Sequence, residues 1–91
     1  GQAVQTGLQL LQNQPNPFIG TTTISFVLPQ GCEAQLRVFD ASGRELLAQQ
    51  KYYPAGKHEE VLELEGASGV LWYELSTPWG ILTKKMMAGS R

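Results

Sequence analysis

Residues 21 to 44, TTTISFVLPQGCEAQLRVFDASGR, alternate apolar and polar side chains with a period of two. Successive side chains of an extended chain point to opposite sides, so Ile24, Phe26 and Leu28 share one face and Thr23, Ser25 and Val27 the other. Pro29 ends this run, Gln30-Gly31 turns the chain, and Ala34, Leu36 and Val38 resume the alternation. Asp40-Ala41-Ser42-Gly43 then leads into Arg44. A three-residue connection ending in glycine suits a hairpin whose last loop residue takes the left-handed conformation.

The same period continues outward. On the C-terminal side, Arg44 to Tyr53 holds good helix formers, with Leu46, Gln50 and Tyr53 at helical spacing, and the neighbouring strands decide in favour of a strand. Pro54-Ala55-Gly56 turns the chain, His58 to Glu65 alternates Leu62 and Leu64 against Val61, Glu63 and Glu65, and Gly66 to Gly69 turns it again. Val70 to Ser76 places Leu71, Tyr73 and Leu75 on one face. Thr77-Pro78-Trp79-Gly80 has the proline and glycine positions of a type I turn, and Ile81 to Met87 returns as a last strand. On the N-terminal side, Leu8, Leu10 and Leu11 precede Gln12-Asn13-Gln14-Pro15-Asn16-Pro17-Phe18, where each proline forces extended or turn geometry on itself and its predecessor. Residues 1 to 7 have the composition of a linker. Six or seven short strands at turn intervals of about 8 to 12 residues, with no convincing helix, predict an all-β fold, an immunoglobulin-like antiparallel β-sandwich of about seven strands.

Composition narrows the function. The chain has 91 residues, a net charge of -1, 42% hydrophobic and 16% charged residues. A domain of this size buries roughly 60 to 65% of its unfolded surface, which leaves little room for a cavity-lined active site. Seven Lys and Arg residues are too few for a nucleic-acid footprint. One cysteine, Cys32, and one histidine, His58, supply neither a disulfide nor a metal site. No stretch approaches the ~20 apolar residues of a membrane span, and the N-terminus lacks a signal-peptide pattern, although residue 1 need not be where the precursor begins.

Few residues suggest chemistry. Cys32 with His58 is the one conceivable nucleophile and base, with no oxyanion hole or orienting group visible near either. Glu59, Glu60, Glu63 and Glu65 offer carboxylates that read most simply as a solvated face. No cofactor is expected. Trp72 lies on the face opposite Leu71, Tyr73 and Leu75, and Trp79 sits at a turn, so either ring could stack on a sugar or cover the core. Arg44 stands near Asp40 across the hairpin, a local pair bracing the turn. Lys84 and Lys85 point to opposite faces of a last strand that shows no clean inside, with Leu82 and Met86 on one face and Ile81 and Met87 on the other. Such a strand fits an edge that pairs with a partner or with itself.

Taken together, Leu11-Gln12-Asn13-Gln14-Pro15-Asn16-Pro17-Phe18, Thr23-Ile24-Ser25-Phe26-Val27-Leu28-Pro29 and Leu36-Arg37-Val38-Phe39-Asp40-Ala41-Ser42-Gly43-Arg44 closely resemble the C-terminal sorting domain, type A, of proteins exported by the type IX (Por) secretion system. Gly56 with His58, then Gly69-Val70-Leu71-Trp72-Tyr73-Glu74-Leu75, then Gly80 followed by Lys84-Lys85-Met86 continue the likeness in order. It runs from about Leu8 to Met87 and departs at Leu71, where tyrosine is usual.

The resemblance implies an address for secretion. An upstream cargo is led from the periplasm of a Gram-negative bacterium across the outer membrane by the type IX translocon and its outer-membrane shuttle proteins. A sortase-like cysteine protease, cutting upstream of Leu8, removes the domain, and the cargo is anchored to surface lipopolysaccharide or released into the medium. Residues 1 to 7 would then be the linker and residues 8 to 91 the sorting domain. Asn16, Pro17 and Phe18 are expected to shape the lead-in to the first long strand, Gly43 to meet a backbone need, and Lys84, Lys85 and Met86 to contact the machinery. A second resemblance, to the immunoglobulin-like domain of flagellar hook-capping proteins, shares Pro-Asn-Pro-Phe and the Asp-x-x-Gly-Arg hairpin and would imply an adhesive, carbohydrate-binding or structural module. That family usually carries Trp-Asp-Gly where Glu63-Leu64-Glu65-Gly66 stands, and the end of the chain soon after Lys85 is what a terminal sorting domain leads one to expect.

Overall fold

A computed structural model describes residues 7–89. The seven strands are β1 (Gln9–Leu10), β2 (Thr21–Leu28), β3 (Cys32–Asp40), β4 (Glu45–Tyr53), β5 (Gly56–Glu63), β6 (Gly69–Thr77) and β7 (Gly80–Ala88). They form two antiparallel sheets, β1-β2-β5 and β4-β3-β6-β7, packed as a β-sandwich, and no helix occurs among the described residues. β4 stays beside β3 in the four-stranded sheet, whereas the fourth strand of a constant-type immunoglobulin domain joins the opposite sheet.

The alternation expected from the sequence builds the core. Ile24, Phe26 and Leu28 of β2 meet Ala34, Leu36 and Val38 of β3 and Leu71, Tyr73 and Leu75 of β6, all buried, with Leu62 and Leu64 beside them. Burying Leu, Ile or Phe side chains stabilises by about 1.5–3 kcal/mol each, so this interdigitated layer drives folding. β4 forms because β3 offers it a full antiparallel edge, from Cys32 opposite Tyr53 to Phe39 opposite Glu45. Pairing thus overrides its helical spacing. The connection behaves as its glycine predicts: Asp40 N–H donates to Arg44 O and Gly43 N–H to Asp40 O, both at 2.9 Å, with Gly43 at φ +89. A register shift between Val38 and Phe39 absorbs the extra residue of the hairpin.

β7 has one clear inside, contrary to the expectation from its sequence. Its pairing with β6 sets Leu82 opposite Leu75, Lys84 opposite Tyr73 and Met86 opposite Leu71. Met86 and Ala88 are therefore buried and Leu82 half-buried, while Ile81 and Met87 lie on the solvent face. An exposed apolar side chain costs little by itself, so register with β6, not local hydrophobicity, selects the inward face.

A sandwich has two open sides as well as two faces. On the side of β4 and β5 the gap is closed by polar groups: the Tyr53 hydroxyl donates to Glu60 Oε2 at 2.7 Å and accepts from Gln49 Nε2 at 3.2 Å, and Lys51 Nζ lies 3.2 Å from the same Glu60 oxygen. Tyr53 also meets Phe26 edge-on at 5.0 Å, and the His58 ring lies 5.1 Å from it. Burial, then the hydrogen bond to Glu60, pushes the Tyr53 phenol up from 10.0 to about 12. Burial alone would raise Glu60, but hydrogen bonds from Tyr53, Lys51 and Gln49 and the Lys51 charge hold it below its usual value.

The folded state thus holds the Tyr53 proton more tightly than the unfolded chain does. Its contribution to stability is whole below pH 10 and is lost as pH rises through about 12. Urea denaturation midpoints should fall between about pH 9 and about pH 11.5, and fall less for Tyr53→Phe. An equal fall in both proteins would show that this group does not couple folding to pH.

Candidate functional site

The motif segment Leu11 to Phe18 closes the opposite side, between β1 and β7. Leu11 N–H donates to Ser25 O at 2.9 Å, and Gln14 exchanges bonds with Thr23 at 2.9 and 2.8 Å, so the segment starts as an extension of the three-stranded sheet. It then crosses to the other sheet. Phe18 N–H donates to Met87 O at 3.1 Å and Gly89 N–H to Phe18 O at 2.7 Å, a parallel bridge that seats the Phe18 ring in the core. Between these points Pro15 and Pro17, both preceded by cis peptide bonds, carry no N–H that would need a partner during the crossing.

Side chains complete the clasp. The Tyr73 hydroxyl, reaching across from β6, donates to Leu11 O at 2.7 Å and accepts from Asn13 N–H at 2.9 Å. Asn13, itself buried, donates through Nδ2 to Thr22 Oγ1 at 3.0 Å and Pro15 O at 3.1 Å, and Thr22 Oγ1 donates to Pro15 O at 2.9 Å. Gln12 Nε2 donates to Asn13 Oδ1 at 2.7 Å and to Lys85 O at 2.9 Å, and Met87 N–H donates to Asn16 Oδ1 at 3.0 Å. Among the described residues no buried side-chain polar atom is left unpaired. Burial raises the Tyr73 phenol, with the bond from Asn13 N–H pulling the other way, so it stays a neutral donor.

The structure therefore brings Pro15, Asn16, Pro17 and Phe18 together with Tyr73 and with the strand bearing Lys84, Lys85 and Met86. Gly69, at φ +85, pairs with Ala88 where this strand ends. Asp40, Gly43 and Arg44 form a separate turn: Asp40 Oδ1 accepts from Ser42 N–H at 2.9 Å, Ser42 Oγ at 2.7 Å and Arg44 N–H at 2.9 Å, with Arg44 Nε 3.3 Å from Asp40 Oδ2. The bond from the Ser42 hydroxyl, then that from Arg44 N–H, holds the Asp40 carboxyl below its usual value. Gly80, at φ +144, stands at the far end of the β6–β7 hairpin. Met86 needs correcting as a contact residue: its side chain is fully buried against the core and offers no surface. Lys85 is exposed, its ammonium 5.9 Å from the Trp72 ring, and Lys84 is half-buried on the inward face.

The other candidates assemble no catalytic set among the described residues. Cys32 is buried, and burial, then the Glu33 charge, raises its thiol, which favours the inert protonated form. His58 donates from Nε2 to Pro54 O at 2.6 Å, and among the described residues no hydrogen bond joins it to Cys32. Glu59, Glu63 and Glu65 are exposed, as a solvated face requires, whereas Glu60 turns inward. Trp72 is 41% exposed on the outer face, paired across strands with Phe39 and Lys85, so it does not cover the core; Trp79 packs against the core. No group of three or more His, Cys, Asp or Glu side chains among the described residues gathers where it could hold a metal ion. Asn13, Thr22 and Tyr53 were not singled out from sequence. Thr22 shares the parity of Ile24, Phe26 and Leu28, which signals a polar group turned inward that must find a partner.

No family model matches the chain, and no curated protein matches it. Among solved structures it is similar to the sensor domain of the anti-sigma factor RsgI4 of Pseudobacteroides cellulosolvens, with 10% identity, 91% of this chain and 97% of that chain covered, and a TM-score of 0.59. A β-glucosidase of Listeria innocua, solved with isofagomine, aligns with 91% of this chain over 16% of its own length, at 13% identity and a TM-score of 0.48. The first likeness shows the β-sandwich fold, and the second carries no weight.

Replacing Tyr73 by Phe keeps the ring and removes the hydroxyl that serves Leu11 O and Asn13 N–H. Stranding two interior backbone groups should cost about 2–4 kcal/mol in chemical denaturation, whereas Asn16→Ala, at an exposed bond, should cost about 0.5–1.5 kcal/mol. A Tyr73→Phe protein within about 0.5 kcal/mol of the parent would show that the clasp does not hold the sheets together.

Proposed function

We propose that this chain is a cleavable C-terminal sorting domain that directs an upstream cargo across the outer membrane through a type IX secretion machinery. One observation carries the reading: the first and last motifs of the ordered resemblance meet in space. Asn16 bonds Met87, Gln12 bonds Lys85, and Phe18 bridges Ala88, so the Pro-Asn-Pro-Phe segment supports the basic terminal strand. In this reading the domain performs no catalysis. It presents a folded surface to the translocon and shuttle proteins, and Lys85 on the open face of β7 is the exposed member of the terminal motif. A sortase-like protease makes the cut and passes the cargo to lipopolysaccharide or to the medium.

The cut falls in or just before residues 1–7, of which all but Gly7 lie outside the described residues. A protease needs an extended backbone that is not held in a sheet, and the chain is sheet-bonded from Gln9 onward. A second reading rests on Trp72, whose exposed ring beside Phe39 on the outer face of the four-stranded sheet offers a stacking surface for a sugar.

A periplasm-directed fluorescent reporter fused to residues 1–91 should reach the surface or medium only in a strain with type IX machinery, shortened by about the mass of this domain. Deleting Ile81 to Arg91 should abolish export, and Lys85→Glu, which leaves the core intact, should lower it. Intact reporter retained in the periplasm of both strains, or normal export after the deletion, would contradict the proposal, as would mass spectrometry placing the cut beyond Pro15. Retention together with saturable glycan binding lost in Trp72→Ala would favour the second reading.

A further inference from the structure

The clasp covers only half of the β7 edge. Met87 gives its N–H to Asn16 and takes the Phe18 N–H on its carbonyl, so both its backbone groups point away from β6. Residues two apart in a strand point the same way, so Lys85, Thr83 and Ile81 also aim their backbone outward. Gln12 occupies the Lys85 carbonyl. Among the described residues, none bonds the Lys85 N–H or the outward backbone groups of Thr83 and Ile81, which line the rest of this edge.

Beside this edge runs a groove of about 340 Å³, walled by Leu8, Leu10 and Leu11 on one side and Leu82, Thr83 and Lys84 on the other. Leu8 and Leu82 give it apolar sides. Lys84 is half-buried on the inward face, and none of the described residues provides it with a hydrogen bond or an ion pair. An ammonium lining the groove without a counter-charge favours a carboxylate there.

We propose that the Ile81–Lys85 edge and this groove receive an extended strand of another protein, carrying an acidic and an apolar side chain two residues apart. The backbone of the incoming strand pairs with Ile81, Thr83 and Lys85. Its inward side chains, spaced by two, place the carboxylate against Lys84 and the apolar group against Leu82 and Leu8. Charge argues against the occupants nearest at hand. A second copy of β7 would bring Lys84 and Lys85 and no carboxylate, and residues 1–6 contain no acidic side chain. The inference stands on the edge and the groove, whether or not the domain is a sorting signal.

Titration of the full chain with a synthetic threonine-rich octapeptide, bearing Glu and Leu two residues apart and made in both orders, tests it by amide chemical shifts. Saturable shifts are expected at Ile81, Thr83, Lys85 and Leu8 to Leu11. Lys84→Glu should weaken binding by about tenfold or more, which corresponds to about 1.4 kcal/mol, and should favour the peptide with Lys in place of Glu. Thr83→Pro, which removes an outward N–H and leaves the β6 ladder intact, should also weaken it. The proposal is overturned if neither peptide order gives saturable shifts or if Lys84→Glu binds the Glu peptide unchanged. A concentration-dependent dimer showing the same shifts without peptide would instead give the groove to a second copy.

Discussion

The Tyr73 hydroxyl joins two parts of the chain that sequence keeps far apart. It sits on the central pair of the four-stranded sheet, yet its partners are the backbone of Leu11 and Asn13, in the segment that leaves the other sheet. In a low-dielectric interior these bonds are strong and their loss is expensive, so the hydroxyl fixes where the N-terminal segment crosses. Once that crossing is fixed, Asn13 can hold Pro15 and Thr22, Phe18 can enter the core, and Asn16 and Gln12 can reach β7. Hydrophobic burial drives the two sheets together, and the clasp sets one side of their alignment.

The two open sides of the sandwich are closed by different means. The β4–β5 side uses a charged and aromatic set, with Tyr53 and Glu60 bonded beneath Lys51, and is tied to pH through the raised phenol. The β1–β7 side uses backbone bonds made by the Pro-Asn-Pro-Phe segment and stops halfway along β7. Sheet edges are a hazard in soluble proteins, and the exposed half carries a lysine turned inward, a device that discourages casual pairing. The same lysine gives that half chemical selectivity. A complementary strand supplies the charge that a chance partner or a second copy lacks.

Much of the fold was legible because β2, β3 and β6 alternate with a period of two over most of their length. Ile24, Phe26 and Leu28, then Leu71, Tyr73 and Leu75, are inward as their spacing requires, and Gly43 takes the left-handed conformation that its hairpin needs. β7 was opaque for a physical reason: with Ile81, Leu82, Met86 and Met87 all apolar, only its register against β6 says which pair is inside. The motifs of the resemblance were legible as a series, but their meeting was not, since the Asn16–Met87 bond depends on topology rather than spacing. Met86 illustrates the limit, for a residue in a motif can be a core residue that supports its neighbours. The buried polar partners Asn13 and Thr22 carried a weaker signal, the parity of Thr22 with the apolar face of β2.

The clasp is best tested by native-state hydrogen exchange on the full chain, read amide by amide. The account requires Asn13, Phe18, Met87 and Gly89, whose N–H groups are donors within the clasp, to be protected to the level of central β6, with Ile81 and Thr83 on the same strand exchanging rapidly. Rapid exchange at Asn13 and Met87, with β6 still protected, would contradict it and leave the sandwich held by its core alone.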